Sequence, residues 1–405
     1  MQKTELDFIL GTMLEAHGDV SDLNFTVNKP LQVEASGELI PVASDPELKN
    51  LTPFQTEIVA LNLLGSSHKL FMDLFKHGSC DSSYTLERKA RFRINIFAQR
   101  GNYSIVLRKL NTQIPTLDEL SMPEIFKTAS KEKTGLILVT GATGSGKSTT
   151  LAAMLNMIND SRAIHVITLE DPVEFVHPQK KATFNQRELG TDFDSFANGL
   201  RAALRQAPKV ILVGEMRDRS TVEIALAAAE TGHLVLSTLH TIDAGQTINR
   251  ILGMFEPEEQ EQVRVRMADT LRYIISQRLA PRIGGGRQAL LEIMGSGLRT
   301  KETIVQGESE GKSFYEIMEA SETFGWQTFD RACVDAFDKG YINEESALAY
   351  CTKRGVVTRA LDNLKKLRGE SSNDFSDLRM RNTLDSALNG GAPKSAPMPP
   401  SLKLK

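Results

Sequence analysis

Gly141-Ala142-Thr143-Gly144-Ser145-Gly146-Lys147-Ser148 sets glycines, a lysine and a hydroxyl in the spacing G-x-x-x-x-G-K-[ST]. Gly144 and Gly146 allow the backbone to fold with its N–H groups aimed at phosphate oxygens, where a Cβ would intrude. A helix leaving the loop adds the positive end of its dipole. Lys147 supplies a point charge to the β- and γ-phosphates, and the Ser148 hydroxyl, followed by Thr149, is a ligand for Mg²⁺. The apolar run GLILVT (135–140) leads straight into the loop and helical sequence follows it. That context separates a nucleotide-phosphate cradle from a mere glycine-rich turn.

Hydrolysis needs two further carboxylates, one for the metal and one to orient or deprotonate the attacking water. Two apolar runs end in acid: AIHVITL (163–169) meets Glu170-Asp171, and KVILVG (209–214) meets Glu215. A single acid at a strand end commonly caps a helix; two beside a phosphate loop point to a hydrolytic site. Glu215 follows the apolar run as a Walker B acid does, which makes Glu170 the candidate general base. The residues alone leave the division of these two roles open. His240 closes the run HLVLSTL (233–239), where an imidazole can reach a γ-phosphate. His233 stands at the opposite end of that run and is the second histidine candidate, as a nucleotide contact.

Elements that could position these groups are visible around them. The four apolar runs, separated by helical stretches such as Ser148–Ile158 and Ser220–Thr231, predict a doubly wound parallel sheet covered on both faces. In such sheets ligands sit beyond the C-terminal strand ends. Before it, Leu23, Phe25, Val27, Leu31 and Val33, then Phe92, Ile94 and Ile96, alternate as antiparallel strands do, around helical spacing at 52–77. The expected organisation is an α+β domain over 1–112, a proline-bearing linker over 113–123, and an α/β domain over 124–370. Beyond about 255 the pattern is expected to be all helical, with Val263, Met267, Leu271, Ile274 and Ile275 on one face. Residues 371–405, rich in Pro and Ser near their end, are expected to be a disordered tail.

The chain has 405 residues, 48 Lys+Arg against 51 Asp+Glu, and a net charge of −3. That balance argues against a nucleic-acid partner, which would call for a basic groove. No apolar run is long enough to span a membrane, and acids interrupt the N-terminal apolar stretch where a secretory signal would need none. The expected setting is the cytoplasm. Cys80, Cys333 and Cys351 are too few and too scattered for a zinc site.

Taken together, GATGSGKSTTLAAM (141–154), ITLEDPVEF (167–175), LRAALRQAPKVILVGEMRD (200–218) and AETGHLVLSTLHT (229–241) resemble one family. It is the type IV pilus retraction ATPases (PilT/PilU) of the secretion ATPase superfamily, through its Walker A, Asp, Walker B and His boxes. Further similarity in SDLNFTV (21–27), RFRINIFAQRG (91–101) and the segment 325–350 extends it over most of the chain. The resemblance implies a PAS-like N-terminal domain, a RecA-like P-loop ATPase domain with a helical C-terminal extension, and ATP with Mg²⁺. It implies a homohexamer on the cytoplasmic face of the inner membrane, working on a pilus platform protein, with a paralogous retraction ATPase as a further partner. Glu170 then matches the general base, Glu215 the magnesium partner, and Arg93 and Arg108 the arginines that the N-terminal domain sets against nucleotide.

Three departures stand out: Lys209 before Walker B, Asn24 in the SDLNF segment, and a degraded retraction motif in GLRTKETIVQGE (297–308). A pilus-extension or type II secretion ATPase of the same superfamily is the alternative. Those proteins usually carry a tetracysteine insertion, and this chain has no C-x-x-C.

Overall fold

A computed structural model describes residues 2–43, 48–87, 89–110 and 113–369. The stretch read as a disordered tail lies outside them. The first sheet is antiparallel and built from β1 (Val20–Phe25), β2 (Gln32–Ala35), β3 (Glu38–Pro41), β4 (Ser79–Leu86), β5 (Ala90–Gln99) and β6 (Asn102–Leu110). Its spatial order is β3-β2-β1-β6-β5-β4. One face, carrying Leu23, Phe92, Ile94, Ile96 and Leu107, is buried against Leu6, Leu10, Val59 and Leu63 of the helices Lys3–Glu15 and Pro53–Leu64. Alternation sends the intervening side chains to the other face. There the register pairs Asp22 with Arg108, Arg108 with Arg93, and Arg93 with Ser83, so a polar row crosses four strands. The helical spacing at 52–77 resolves into two helices, because Gly65 turns with a φ of 59° and Ser67 caps the second, His68–His77.

The second sheet contains β7 (Gly135–Thr140), β8 (His165–Glu170), β9 (Thr183–Glu188), β10 (Val210–Val213), β11 (Leu234–Leu239), β12 (Leu271–Pro281) and β13 (Arg287–Gly295). Its order is β13-β12-β7-β11-β10-β8-β9, parallel except for the β12–β13 pair. Leu136, Leu138, Ile211 and Val235 pack on one side against the helices Arg219–Glu230 and Ala244–Leu252. Ile137, Val139, Leu212 and Leu236 pack on the other against Leu151, Met154 and Ile158 of the helix Lys147–Ser161. Burial on both faces is why these strands carry apolar residues in unbroken runs, as in GLILV (135–139) and VILV (210–213). Leu117 of the expected linker packs into this second core beside Phe126, so that segment is anchored to the sheet's helical layer.

The expectation of an all-helical region beyond 255 is corrected. The helix Pro257–Thr270 ends, and Leu271, Ile274 and Ile275 continue as strand β12 alongside β7. The apolar spacing there fits a helical face as well as a buried strand, and the open edge of β7 decides in favour of the strand. Gly284, Gly285 and Gly286, all with φ between 80° and 103°, turn the chain back into β13. Helices do follow: Phe329 and Cys333 on Phe329–Asp338 are fully buried with Val357 and Leu361 of Arg354–Leu367.

Because Leu236 is fully buried at the centre of β11, Leu236→Ala should cost about 2–5 kcal/mol of stability. Urea unfolding monitored by circular dichroism measures this, and an unchanged midpoint would contradict the packing described.

Candidate nucleotide-binding site

β7, β8, β10 and β11 all run parallel, so their C-terminal ends open onto one cleft of about 810 Å³. The loop after β7 lines it. Gly141, Gly144 and Gly146 have φ of 143°, 78° and 88°, conformations that L side chains rarely adopt. A Cβ on Gly146 would lie 2.7 Å from Gln277 Nε2. Gln277 cannot readily retreat, because its Oε1 accepts from Thr150 Oγ1 at 2.8 Å. Lys147 is buried, and its ammonium donates to the carbonyl oxygens of Gly141 (2.9 Å) and Ala142 (3.0 Å) at the mouth of the loop. Burial lowers its pKa, with Glu215 and Glu174 opposing. Ser148 and Thr149 face the same cleft.

Glu170 is the last residue of β8 and also lines the cleft. Its Oε1 accepts from Thr168 Oγ1 (2.6 Å) and Gln186 Nε2 (3.2 Å). Burial pushes the carboxyl up to about 7, against the lowering effect of those hydrogen bonds. An acid poised there accepts a proton at neutral pH far better than an ordinary carboxylate. Glu215, just past β10, pairs with Arg217 and lies 3.6 Å from His240 Nε2. Burial lowers the His240 pKa, Lys147 adds to this, and Glu215 opposes it. A neutral imidazole has a single N–H to give, so His240 donates either to the acid or to a phosphate oxygen.

The donors suit Mg²⁺. Among the described residues no three His, Cys, Asp or Glu side chains gather as a metal cage. The Ser148 hydroxyl and the Glu215 carboxylate instead share the cleft with the phosphate loop. Mg²⁺ is commonly held in this way, by one or two protein ligands together with substrate phosphates.

Of the two arginines on the polar row, Arg93 lines the cleft of its own chain. Arg108 does not; its Nε donates to Asp22 Oδ1 at 2.9 Å with 70% of the side chain exposed. His233 also lies outside the cleft, before β11, where its Nδ1 sits 3.0 Å from the Ala228 carbonyl. The structure adds Gln277, Arg282, Arg287 and Gln288 from the β12–β13 hairpin, and residues 119–122 from the expected linker. Reading 271–295 as helix conceals the hairpin residues; the triple glycine between two apolar runs is the signal that marks them.

A family model described as type II/IV secretion system protein matches residues 81–328. The chain is 40% identical over 328 residues to the type IV pilus retraction ATPase PilT of Pseudomonas aeruginosa, covering 81% of this chain and 93% of that protein. It is 38% identical over 347 residues to the type IV pilus ATPase PilU of the same organism, covering 85% and 88%. A crystal structure of the pilus retraction motor PilT with bound ADP matches with a TM-score of 0.78 at 40% identity, covering 87% of this chain and 98% of that one.

Two outcomes follow from this geometry. Gly146→Ala forces the loop away from its phosphate-binding form, at a strain of order 1–3 kcal/mol, so nucleotide affinity should fall roughly tenfold or more. Equilibrium titration with a fluorescent nucleotide tests this, and wild-type affinity would contradict it. The proton-accepting form of Glu170 is lost as pH falls through its raised pKa of about 7. Turnover at saturating nucleotide should therefore drop on the acid side of neutrality, with a bend near that pH. A profile flat down to about pH 5.5, below the range in which a base of raised pKa stays ionised, would contradict it.

Proposed function

The chain belongs to the type II/IV secretion system protein family, in its PilT/PilU branch, and from that premise we propose a Mg²⁺-dependent ATPase that drives type IV pilus retraction. The observation that carries the reading is the meeting of phosphate loop, two acids and a histidine at neighbouring strand ends, with an N-terminal-domain arginine over the same cleft. In this reading Lys147 and the loop amides hold the phosphates, and Ser148 and Glu215 hold Mg²⁺. The bound metal offsets phosphate charge. Glu170 takes the proton of the attacking water, and Arg93 offsets charge developing on the transferred group, a role worth 10³–10⁵ in well-studied cases. His240 links Glu215 to the γ-phosphate end of the site.

The working form is proposed as a homohexamer on the cytoplasmic side of the inner membrane, pulling through a pilus platform protein, with a paralogue as companion. Side chains left open on the N-terminal helices, Phe54 and Phe75, and on the ATPase domain, Leu298, fit surfaces covered by neighbours. Arg108 lies outside its own cleft and is exposed beyond its pair with Asp22, a position from which it can face an adjoining subunit. The division into 1–112, 113–123 and 124–370 is kept as the working map. Retraction is favoured over extension by the near-complete coverage of PilT's own length.

Deletion in the source organism tests direction. Cells that lack a retraction motor should stay piliated, often more heavily than wild type, yet fail to twitch. Bald cells would overturn retraction in favour of extension.

A further inference from the structure

β9 is the edge strand beside β8, and alternation puts Phe184, Gln186 and Glu188 on one of its faces. Gln186 holds Glu170: its Nε2 donates to Glu170 Oε1 at 3.2 Å and to the Phe175 carbonyl at 2.8 Å. Its Oε1 accepts from the His177 N–H at 2.7 Å. Two residues on, Glu188 holds the N-terminal domain. Ser83 Oγ donates to Glu188 Oε1 at 2.8 Å, and Arg91 Nη2 donates to Oε2 at 2.6 Å. The same Oε2 accepts from the Val173 N–H at 3.2 Å. β9 therefore grips, with adjacent teeth of one face, the acid in the cleft, the loop that follows it, and the domain above.

The Arg91–Glu188 pair is not a surface ion pair. Its side chains are only 17% and 9% exposed, so removing one partner while the domains stay docked leaves the other charge in a poorly solvated place. Arg93 lies two residues beyond Arg91 on the same strand and face, and it lines the cleft. One contact thus sets two groups at once: it holds Arg93 at the cleft and braces the 171–175 segment behind Glu170.

We propose that Arg91, Ser83, Glu188 and Gln186 form a positioning latch that makes hydrolysis, and not nucleotide capture, depend on docking of the N-terminal domain. The inference rests on the reading of Glu170 as base. The phosphate loop lies on β7 and needs none of these four residues, so capture stands apart from the latch.

The test uses the full chain, with phosphate release and fluorescent ATP-analogue binding read separately. Arg91→Ala and Glu188→Gln should leave affinity within roughly threefold and lower turnover roughly tenfold or more, the scale of a misplaced catalytic group. Arg91→Lys should recover part of the loss. Arg93→Ala should cost less in the Arg91→Ala background than alone, because both act through one placement. Lys89→Ala, which breaks only the exposed pair with Glu15 on the same domain, should change nothing.

Wild-type turnover in Arg91→Ala, equal loss of affinity and turnover, or strict additivity with Arg93→Ala would each overturn the proposal. If Glu188→Gln does not fold, Ser83→Ala leaves β9 intact and is judged by the same criteria. Glu170→Gln separates the two levels of the argument. Its turning over at the wild-type rate overturns the base assignment, whereas an inactive Glu170→Gln beside an active Arg91→Ala overturns the latch alone.

Discussion

Parallel pairing of β7, β11, β10 and β8 is the constraint on which the rest depends. Parallel strands point all their C-terminal ends the same way, so groups far apart in sequence are delivered to one edge without long loops. Lys147, Glu170, Glu215 and His240 come from four such ends. The pairing in turn requires both faces of the sheet to be buried, and the helices flanking it supply that cover on each side. Packing and chemistry are thus one arrangement: whatever loosens the double layer also spreads the reacting groups.

Burial then tunes what the sheet has gathered. The same desolvation raises Glu170 toward neutrality and lowers Lys147, so both charged forms are held less tightly than in water. Glu215 is flanked by Arg217 and His240, which places it among hydrogen-bond donors instead of bare apolar surface. The two acids of one cleft thus stand in different surroundings, Glu170 against Thr168 and Gln186 and Glu215 against Arg217 and His240. The N-terminal domain completes the electrostatics from above, because its outward sheet face is a row of arginines and their partners while its inward face is almost wholly apolar.

The phosphate loop was legible because everything it needs is local: strand, glycines, lysine and helix follow one another from 135 to 161. The acids were legible because a doubly buried strand that ends in Glu is unusual enough to read directly. The β12–β13 hairpin was not legible, since Leu271, Ile274 and Ile275 suit a helical face equally well and only the vacant edge of β7 discriminates. β9 was missed for a related reason. TFNQRE looks polar, and Gln186 and Glu188 acquire meaning only when Glu170 and Arg91 lie beside them. Resemblance paired Arg93 with Arg108, and the register does make them neighbours, but only Arg93 lines the cleft, while Arg108 pairs with Asp22. His233 was separated from the site by the length of its own strand.

The central claim is that this edge of the sheet binds and cleaves a nucleoside triphosphate with separate groups for the two tasks. Phosphate release measured beside ATP-analogue binding, on wild type, Lys147→Ala and Glu170→Gln, tests it most directly. The account predicts Mg²⁺-dependent release by wild type and loss of binding or of hydrolysis in Lys147→Ala. It predicts retained binding in Glu170→Gln with turnover lower by at least roughly 10²-fold, the usual scale for a positioned base. Hydrolysis by Glu170→Gln at the wild-type rate, or no release by wild type with Mg²⁺ present, would contradict it.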